Sequence, residues 1–239
     1  ANDILFSHID GSLTHFDGNN FINDCSLITQ LNASAKKIWG LSKDDFYVVS
    51  GNGFIAHYDG SGWRRMESPN GAGGAELPIQ DIWGAWNERE GKYEILAVAS
   101  NKYLNEGKKV LQIEGTTVSL VPDSGLSWSL SGVWFVPGKR YYIAGDGIYP
   151  SMTLGPIWIR DTTFPAIYKD AIRGTGLNDI AVSGSNGLLS HFNGKSWKHY
   201  LYNELPFFSG RYYGVDIEDN CIVAVGYINR KAIITIGWH

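Results

Sequence analysis

The chain has 239 residues, 44% of them hydrophobic and 18% charged, which is enough apolar material for a buried core and too little charge for disorder. Its formal charge is −4, and the basic pairs Lys36-Lys37, Arg64-Arg65 and Lys108-Lys109 are scattered, so no nucleic-acid partner is expected. No apolar run approaches the roughly 18 residues that cross a bilayer as a helix, and no membrane span is expected.

Nine tryptophans, 13 tyrosines and 10 phenylalanines beside 29 glycines favour many short strands joined by tight turns. In chain order, NDILFSHIDG (2–11) reads as a strand entering a turn, and DGSLTHFDGNNF (10–21) as the next strand, carrying His15 and ending on Asp-Gly. KIWGLSKDDFYVVSGNG (37–53) contains a strand with Ile38-Trp39-Gly40 and a β-branched, aromatic strand over 46–49. NGFIAHYDGSGW (52–63) then repeats the histidine strand without a gap, with His57 for His15 and Trp63 for Phe21. DIWGAWN (81–87) opens another unit, and GKKVLQIEGTTV (107–118) is a weaker histidine strand in which Gln112 holds the place. GVWFVPGKRYYIAGDG (132–147), AIRGTGLNDIAVSGSNG (171–187), NGLLSHFNGKSW (186–197), YGVDIEDNCIVAVGYI (213–228) and KAIITIGWH (231–239) complete the series.

The spacing is regular. Asn52 follows Ile38 by 14 residues, and Asn186 follows Ile172 by the same 14. Taking Ile38, Ile82, Val133, Ile172 and Val215 as equivalent gives intervals of 44, 51, 39 and 43 residues. Helical periodicity is not sustained anywhere, so the chain reads as all-β. Four short antiparallel strands repeating every 40 to 50 residues imply a β-propeller, a single domain over 1–239. The start matches the second strand of a unit and the end a third strand, so about six blade units are expected with incomplete terminal blades. Five blades with one mixed blade closing the ring, or a fragment of a larger propeller, stay open. The chain begins with Ala1 rather than Met, which fits a cleaved signal peptide or a truncated chain, and an extracytoplasmic setting is expected.

These units resemble the bacterial propeller repeats of pattern IWG…DDxYxVGxxGxIxHYDGxxW, found in secreted or surface-exposed proteins. More distantly they resemble the Asp-box repeats of sialidases and other BNR proteins, whose turn reads S-x-D-x-G-x-x-W. The resemblance covers essentially the whole chain and implies a propeller, while saying little about activity, because propellers host many functions. It also implies an Ile-Trp-Gly strand ahead of NDILF.

Repetition assigns most of the chemically suggestive residues to architecture. His15, His57 and His191 share one position, so each imidazole is expected to hydrogen-bond within its hairpin or to a neighbouring blade. His8 and His199 lack that equivalence and have no evident partner. Asp17, Asp59 and Asn193 precede glycine and suit a turn acceptor better than a general acid. Phe21, Trp63 and Trp197 are expected to lock adjacent blades by burial. Cys25 and Cys221 read as two buried thiols or a single bridge, and no metal-ligand spacing, catalytic residue or cofactor motif is apparent.

Function is therefore sought where the repeat fails. Trp39, Trp83 and Trp134 lie on the first strand, which lines a propeller channel, and Arg173 replaces tryptophan there as a candidate ligand contact. The stretches 67–80, 101–109, 147–165 and 203–213 outgrow a propeller turn. Within them Tyr149, Trp158, Phe207 and Phe208 are candidate contacts, with packing over blade ends as the alternative. These features suggest a non-catalytic interaction module that binds a protein or a carbohydrate through its loops and channel mouth. The alternatives are a lectin and a polysaccharide hydrolase or lyase using carboxylates such as Asp81, Glu114, Asp146, Asp161 or Asp216. Exposed aromatics beside Asn, Asp and Arg would favour sugar, and a wide flat apolar patch would favour protein.

Overall fold

The computed structural model describes residues 4–8, 10–33, 35–66, 77–101, 104, 106–201, 204–205 and 207–238. Most of 67–80 and parts of the stretches 101–109 and 203–213 lie outside the described residues. The chain folds as two compact units, one of residues 1–86 and 92–121, the other of residues 87–91 and 122–239.

The first unit holds three antiparallel sheets, each a meander. One is β1 (Ile4–Ser7), β2 (Leu13–Phe16) and β3 (Phe21–Asp24), followed by a six-residue helix α1 (Ser26–Leu31). The next is β4 (Lys37–Ser42), β5 (Asp45–Val49), β6 (Ile55–Tyr58) and β7 (Trp63–Arg65). The third is β8 (Ile79–Asn87), β9 (Lys92–Asn101), β10 (Glu106–Glu114) and β11 (Thr117–Val121). The second unit likewise holds three. They are β12 (Leu130–Val136), β13 (Arg140–Gly145) and β14 (Ile148–Ser151); β15 (Lys169–Gly176), β16 (Asp179–Gly184), β17 (Leu189–Phe192) and β18 (Trp197–Tyr200); and β19 (Arg211–Glu218), β20 (Cys221–Ile228) and β21 (Lys231–Trp238).

The six sheets are the six units read from the repeat. Ile38, Ile82, Val133, Ile172 and Val215 fall on the five first strands β4, β8, β12, β15 and β19. Among the described residues the first sheet has no first strand and the last no fourth, in line with the alignment. The β12–β14 sheet is also three-stranded, because residues 152–165 form an irregular segment where a fourth strand would stand. The helix was not legible as periodicity, being short and anchored by the single buried Leu27. Asn32 closes it in the left-handed region at φ 51°.

Local chemistry makes the repeated turn. The Asp59 carboxylate accepts the N–H groups of Ser61 at 3.0 Å and Gly62 at 3.1 Å and the Ser61 hydroxyl at 2.6 Å. Asn193 does the same for Lys195 and Ser196, both at 3.1 Å. Gly60 and Gly194 follow at φ 83° and 86°, a conformation that costs glycine little. Those hydrogen bonds hold the exposed Asp59 carboxyl down to about 2 from its ordinary 3.8.

Between sheets, the first strand makes a repeated interlock. A Cβ placed on Gly84 of β8 would sit 2.4 Å from the Trp39 indole of β4. The same construction on Gly174 of β15 meets the Trp134 indole of β12 at 2.7 Å. Ile-Trp-Gly thus works in pairs: the tryptophan of one sheet lies flat on the glycine of the next. Around the first contact packs a core of Tyr47, Val49, Ile55, Ile79, Ile82, Ile95 and Leu111, with Trp39 against it. Dense interiors give a methyl group no room to arrive. Gly84→Ala is expected to lose about 1–3 kcal/mol in urea denaturation. Combining it with Trp39→Phe should cost less than the two single changes together, because the smaller ring vacates the space the methyl needs.

Candidate functional site

Two of the repeated histidines, His57 and His191, are held within their own sheets. His57 Nε2 meets Asp45 Oδ1 at 2.7 Å, and His191 Nε2 meets Asp179 Oδ1 at 2.8 Å, in both cases from the third strand to the second of the same sheet. The His57 ring also stacks on Tyr47, centroids 4.2 Å apart. The sequence signal for these pairs is the shared interval of 12 residues from Asp45 to His57 and from Asp179 to His191. His8 and His199 do have partners, Thr14 Oγ1 at 2.7 Å and Ser190 Oγ at 2.9 Å. The His191–Asp179 pair is better shielded than His57–Asp45. His191→Ala is therefore expected to lower stability by about 1–3 kcal/mol and His57→Ala by less, both read by thermal and urea melts.

Most of the residues proposed from breaks in the repeat are engaged in packing or hydrogen bonds within their own unit. Trp134 is buried on Gly174, and Trp39 is largely committed to Gly84. Trp83 keeps part of its ring accessible. Arg173 occupies the tryptophan place, but its Nη1 donates to the carbonyls of Ile172 at 2.7 Å and Val133 at 3.4 Å, so it ties two first strands together. In the long segment, Tyr149 is buried with its hydroxyl on Asp146 at 2.8 Å. Trp158 is buried too, its Nε1 donating to Pro122 O at 2.9 Å and its N–H to Ser124 O at 2.8 Å. Phe208 is buried against Tyr212, whereas Phe207 is 77% exposed. Direct ligand contact by Trp134, Tyr149, Trp158 and Phe208 is thus replaced by packing, because an indole or phenol that seals a sheet end has no free face. The alternation leaves Ile157 and Ile159 outside instead.

Other expectations change as well. Phe21 is exposed and packs beside Phe6 and Phe16 of its own sheet. Trp63 contacts Phe46 and Tyr58 and donates to Ser26 Oγ at 2.7 Å. Cys25 is an exposed thiol and Cys221 a half-buried one, both free.

A polar cluster surrounds Lys169, whose side chain is fully buried. Its Nζ donates to the carbonyls of Pro165 at 2.8 Å and Asp146 at 3.3 Å and lies over the Phe164 ring. Burial, with the Arg160 charge adding and Asp146 and Asp161 opposing, lowers its pKa from 10.5 to about 8. The unfolded chain therefore binds more protons between about pH 8 and 10.5, so folding is favoured as pH rises through that window. Against Lys169→Met, the wild type is expected to gain about 1–3 kcal/mol between pH 8 and 10.5 in urea titrations.

The last sheet presents a different surface. Its inner face, with Tyr212, Val215, Ile217, Ile222 and Ala224, packs on Ala171, Ala181 and Leu189 of the preceding sheet. Strand alternation turns the other set outward: Val223, Val225 and Tyr227 on β20 and Ile234, Ile236 and Trp238 on β21. Register pairs Ile234 with Val225 and Ile236 with Val223, so the apolar side chains form one flat ladder. Ile234 is 66% exposed and Trp238 71% exposed. Tyr213 stacks on Tyr227 at 5.6 Å, and Arg211 lies between the Tyr168 and Tyr213 rings with its guanidinium on Asp170. Asp216 and Glu218 line the β19 side, next to Val223 and Cys221 in register. Sequence reading took this stretch only as terminal strands; the signal was strict alternation of apolar residues with none of the usual polar set on one face.

No family model matches the chain, and no curated protein matches it. Solved structures do. The whole chain superposes on YCF48 from Cyanidioschyzon merolae with a TM-score of 0.70 at 13% identity, spanning 80% of that chain. YCF48 bound to D1 peptide gives 0.64 at 16% identity, over 95% of this chain and 72% of that one. The Dos1 propeller gives 0.63 at 11% identity, over 94% and 61% respectively. This chain has a β-propeller fold. The virginiamycin B lyase of Staphylococcus aureus is a further match, at 0.63 and 14% identity over 92% of this chain and 75% of that one. At such identities the likeness concerns the fold, and the neighbours range from a peptide-bound protein to a lyase.

Proposed function

We propose that the chain is a non-catalytic propeller interaction module, one domain over its length, whose partner is a protein docking on the outer face of β19–β21. The observation that carries this reading is the flat apolar ladder of Val223, Val225, Tyr227, Ile234, Ile236 and Trp238. Such a contiguous surface is rare on soluble proteins unless something covers it. The ladder is flanked by Asp216 and Glu218, so the partner it suits carries an apolar segment next to lysine or arginine. Among the described residues no strand pairs with the outer edge of β21, whose backbone groups add directional hydrogen bonds for that segment. YCF48, a propeller neighbour, is recorded bound to a peptide, which supports a protein over a sugar as the class of partner.

Three of the five carboxylates considered for hydrolysis are engaged within the fold. Asp146 takes the hydroxyls of Tyr149 and Ser127, Glu114 pairs with Lys92, and Asp161 accepts the N–H and hydroxyl of Thr163. The repeat resemblance also supports an extracytoplasmic setting, which fractionation of the native host would test.

The docking test compares capture from native-host extract by the wild type, by Ile234→Lys/Ile236→Lys and by Asp216→Lys/Glu218→Lys, alongside a glycan array. One protein retained by the wild type at low salt and reduced at least about tenfold by both variants, with unchanged melting, is the expected result. Equal capture by all three, or saturable glycan binding with no captured protein, overturns the proposal.

A further inference from the structure

The Trp39 ring covers Gly84, and beyond that contact the same face carries further aromatic rings. Trp86 stands two residues past Gly84 on β8, so alternation turns both toward Trp39. The Tyr93 ring of β9 touches Trp86 at a centroid distance of 5.1 Å and Trp39 at 5.9 Å. Trp39 in turn lies 6.1 Å from Tyr47, and Tyr47 stacks on His57, which is held by Asp45. One row of rings therefore runs from Trp86 to the His57–Asp45 pair, and every member belongs to the first unit.

The row is open at both ends. Trp86 is 50% exposed and Tyr93 39% exposed, at the turn end of a hairpin whose strands run for 9 and 10 residues against 6 and 5 for β4 and β5. At the other end the Asp45 side chain is more exposed than its counterpart Asp179. Among the described residues, the Trp39 and Trp86 indole N–H groups and the Tyr93 hydroxyl make no hydrogen bond, and Asp45 Oδ2 accepts none. The interlock does not require the outer rings. Over Gly174 the Trp134 indole is buried although Gly176 holds the place of Trp86. An indole and a phenol that packing does not need, held in water side by side, mark a contact surface.

We propose that this row binds a neutral oligosaccharide chain. A pyranose has an apolar face of C–H groups, which settles on the negative face of an indole or phenol, and a rim of hydroxyls. The rim matches the polar atoms left open along the row. Sugar oxygens accept from the two indole N–H groups and the Tyr93 hydroxyl, and a sugar hydroxyl donates to Asp45. The carboxylate selects the class. It repels uronic and sialic acid chains, and a proline-rich peptide has no N–H at its prolines to give it. Successive rings are tilted by 69° and 59°, so they suit a soluble chain that turns from unit to unit better than a flat crystalline face.

This site goes beyond the protein-docking reading and lies in the other unit, so the two fail separately. Ile234→Lys/Ile236→Lys should leave sugar binding unchanged, and Trp86→Ala should leave protein capture unchanged.

The probes are cellohexaose, xylohexaose, mannohexaose and maltohexaose, with hexagalacturonate and decaproline as controls, titrated into the full chain by calorimetry and tryptophan fluorescence. Saturation by at least one neutral chain with a Kd below about 1 mM is expected, with a blue shift of emission as ring faces leave water. Trp86→Ala and Tyr93→Ala should each weaken it at least about tenfold while melting like the wild type. In the wild type, the Trp39 and Trp86 indole N–H resonances should shift on titration, a reading that depends on no variant. Saturation by none of the neutral chains, or tighter binding of hexagalacturonate or decaproline, overturns the proposal. Binding that leaves both indole resonances and both variants' affinities unchanged also overturns it.

Discussion

A tryptophan lying on a glycine of the following sheet is the contact on which the rest of this molecule is organised. Sheets of four short strands bury little on their own, and each must find a neighbour for its apolar face. Trp39 on Gly84 and Trp134 on Gly174 set how closely successive sheets approach, because the indole has a fixed thickness and the glycine has no side chain to yield. The tripeptide Ile-Trp-Gly supplies all parts at once: a branched residue for the sheet's own core, the ring for the sheet ahead and the vacancy for the ring behind.

Departures from that rule are informative in different ways. Arg173 stands in the tryptophan place and replaces ring packing by hydrogen bonds to the carbonyls of Ile172 and Val133. The substitution looks functional in a sequence and proves to be an alternative fastening. Trp158, in the irregular segment after β14, is buried and fastens that segment to Pro122 and Ser124 ahead of β12. By contrast, Gly40 is filled from within its own sheet by Phe46 and Asp45, and the last sheet turns Val225, Tyr227, Ile234, Ile236 and Trp238 outward.

Much of the architecture was legible before any coordinates. The 14-residue interval from Ile38 to Asn52 and from Ile172 to Asn186 located strands one to three in two units, and the turn residues Asp59-Gly60 and Asn193-Gly194 located the hairpins. These are local properties: alternation, turn chemistry and spacing are written along a few consecutive residues. The candidate contacts fared differently. Tyr149, Trp158 and Phe208 were picked out as aromatics on long loops, and all three are buried. An aromatic in a loop reads the same in sequence whether it faces solvent or seals a sheet end. The partners that decide the matter, such as Pro122 for Trp158, lie tens of residues away.

The sequence by itself determined that the chain is all-β, that it is built from repeated meanders near 40 to 50 residues long, and that His15, His57 and His191 and the turn residues Asp17, Asp59 and Asn193 belong to the repeat. Those conclusions follow from short-range patterns that every copy restates. Only the tertiary structure decided which side chains are exposed, among them Val225, Ile234, Ile236 and Trp238 on β20 and β21, and which are buried, among them Tyr149, Trp158 and Phe208. Exposure is a property of what a strand's neighbours leave uncovered, and an aromatic looks identical in sequence whether it seals a sheet end or faces solvent.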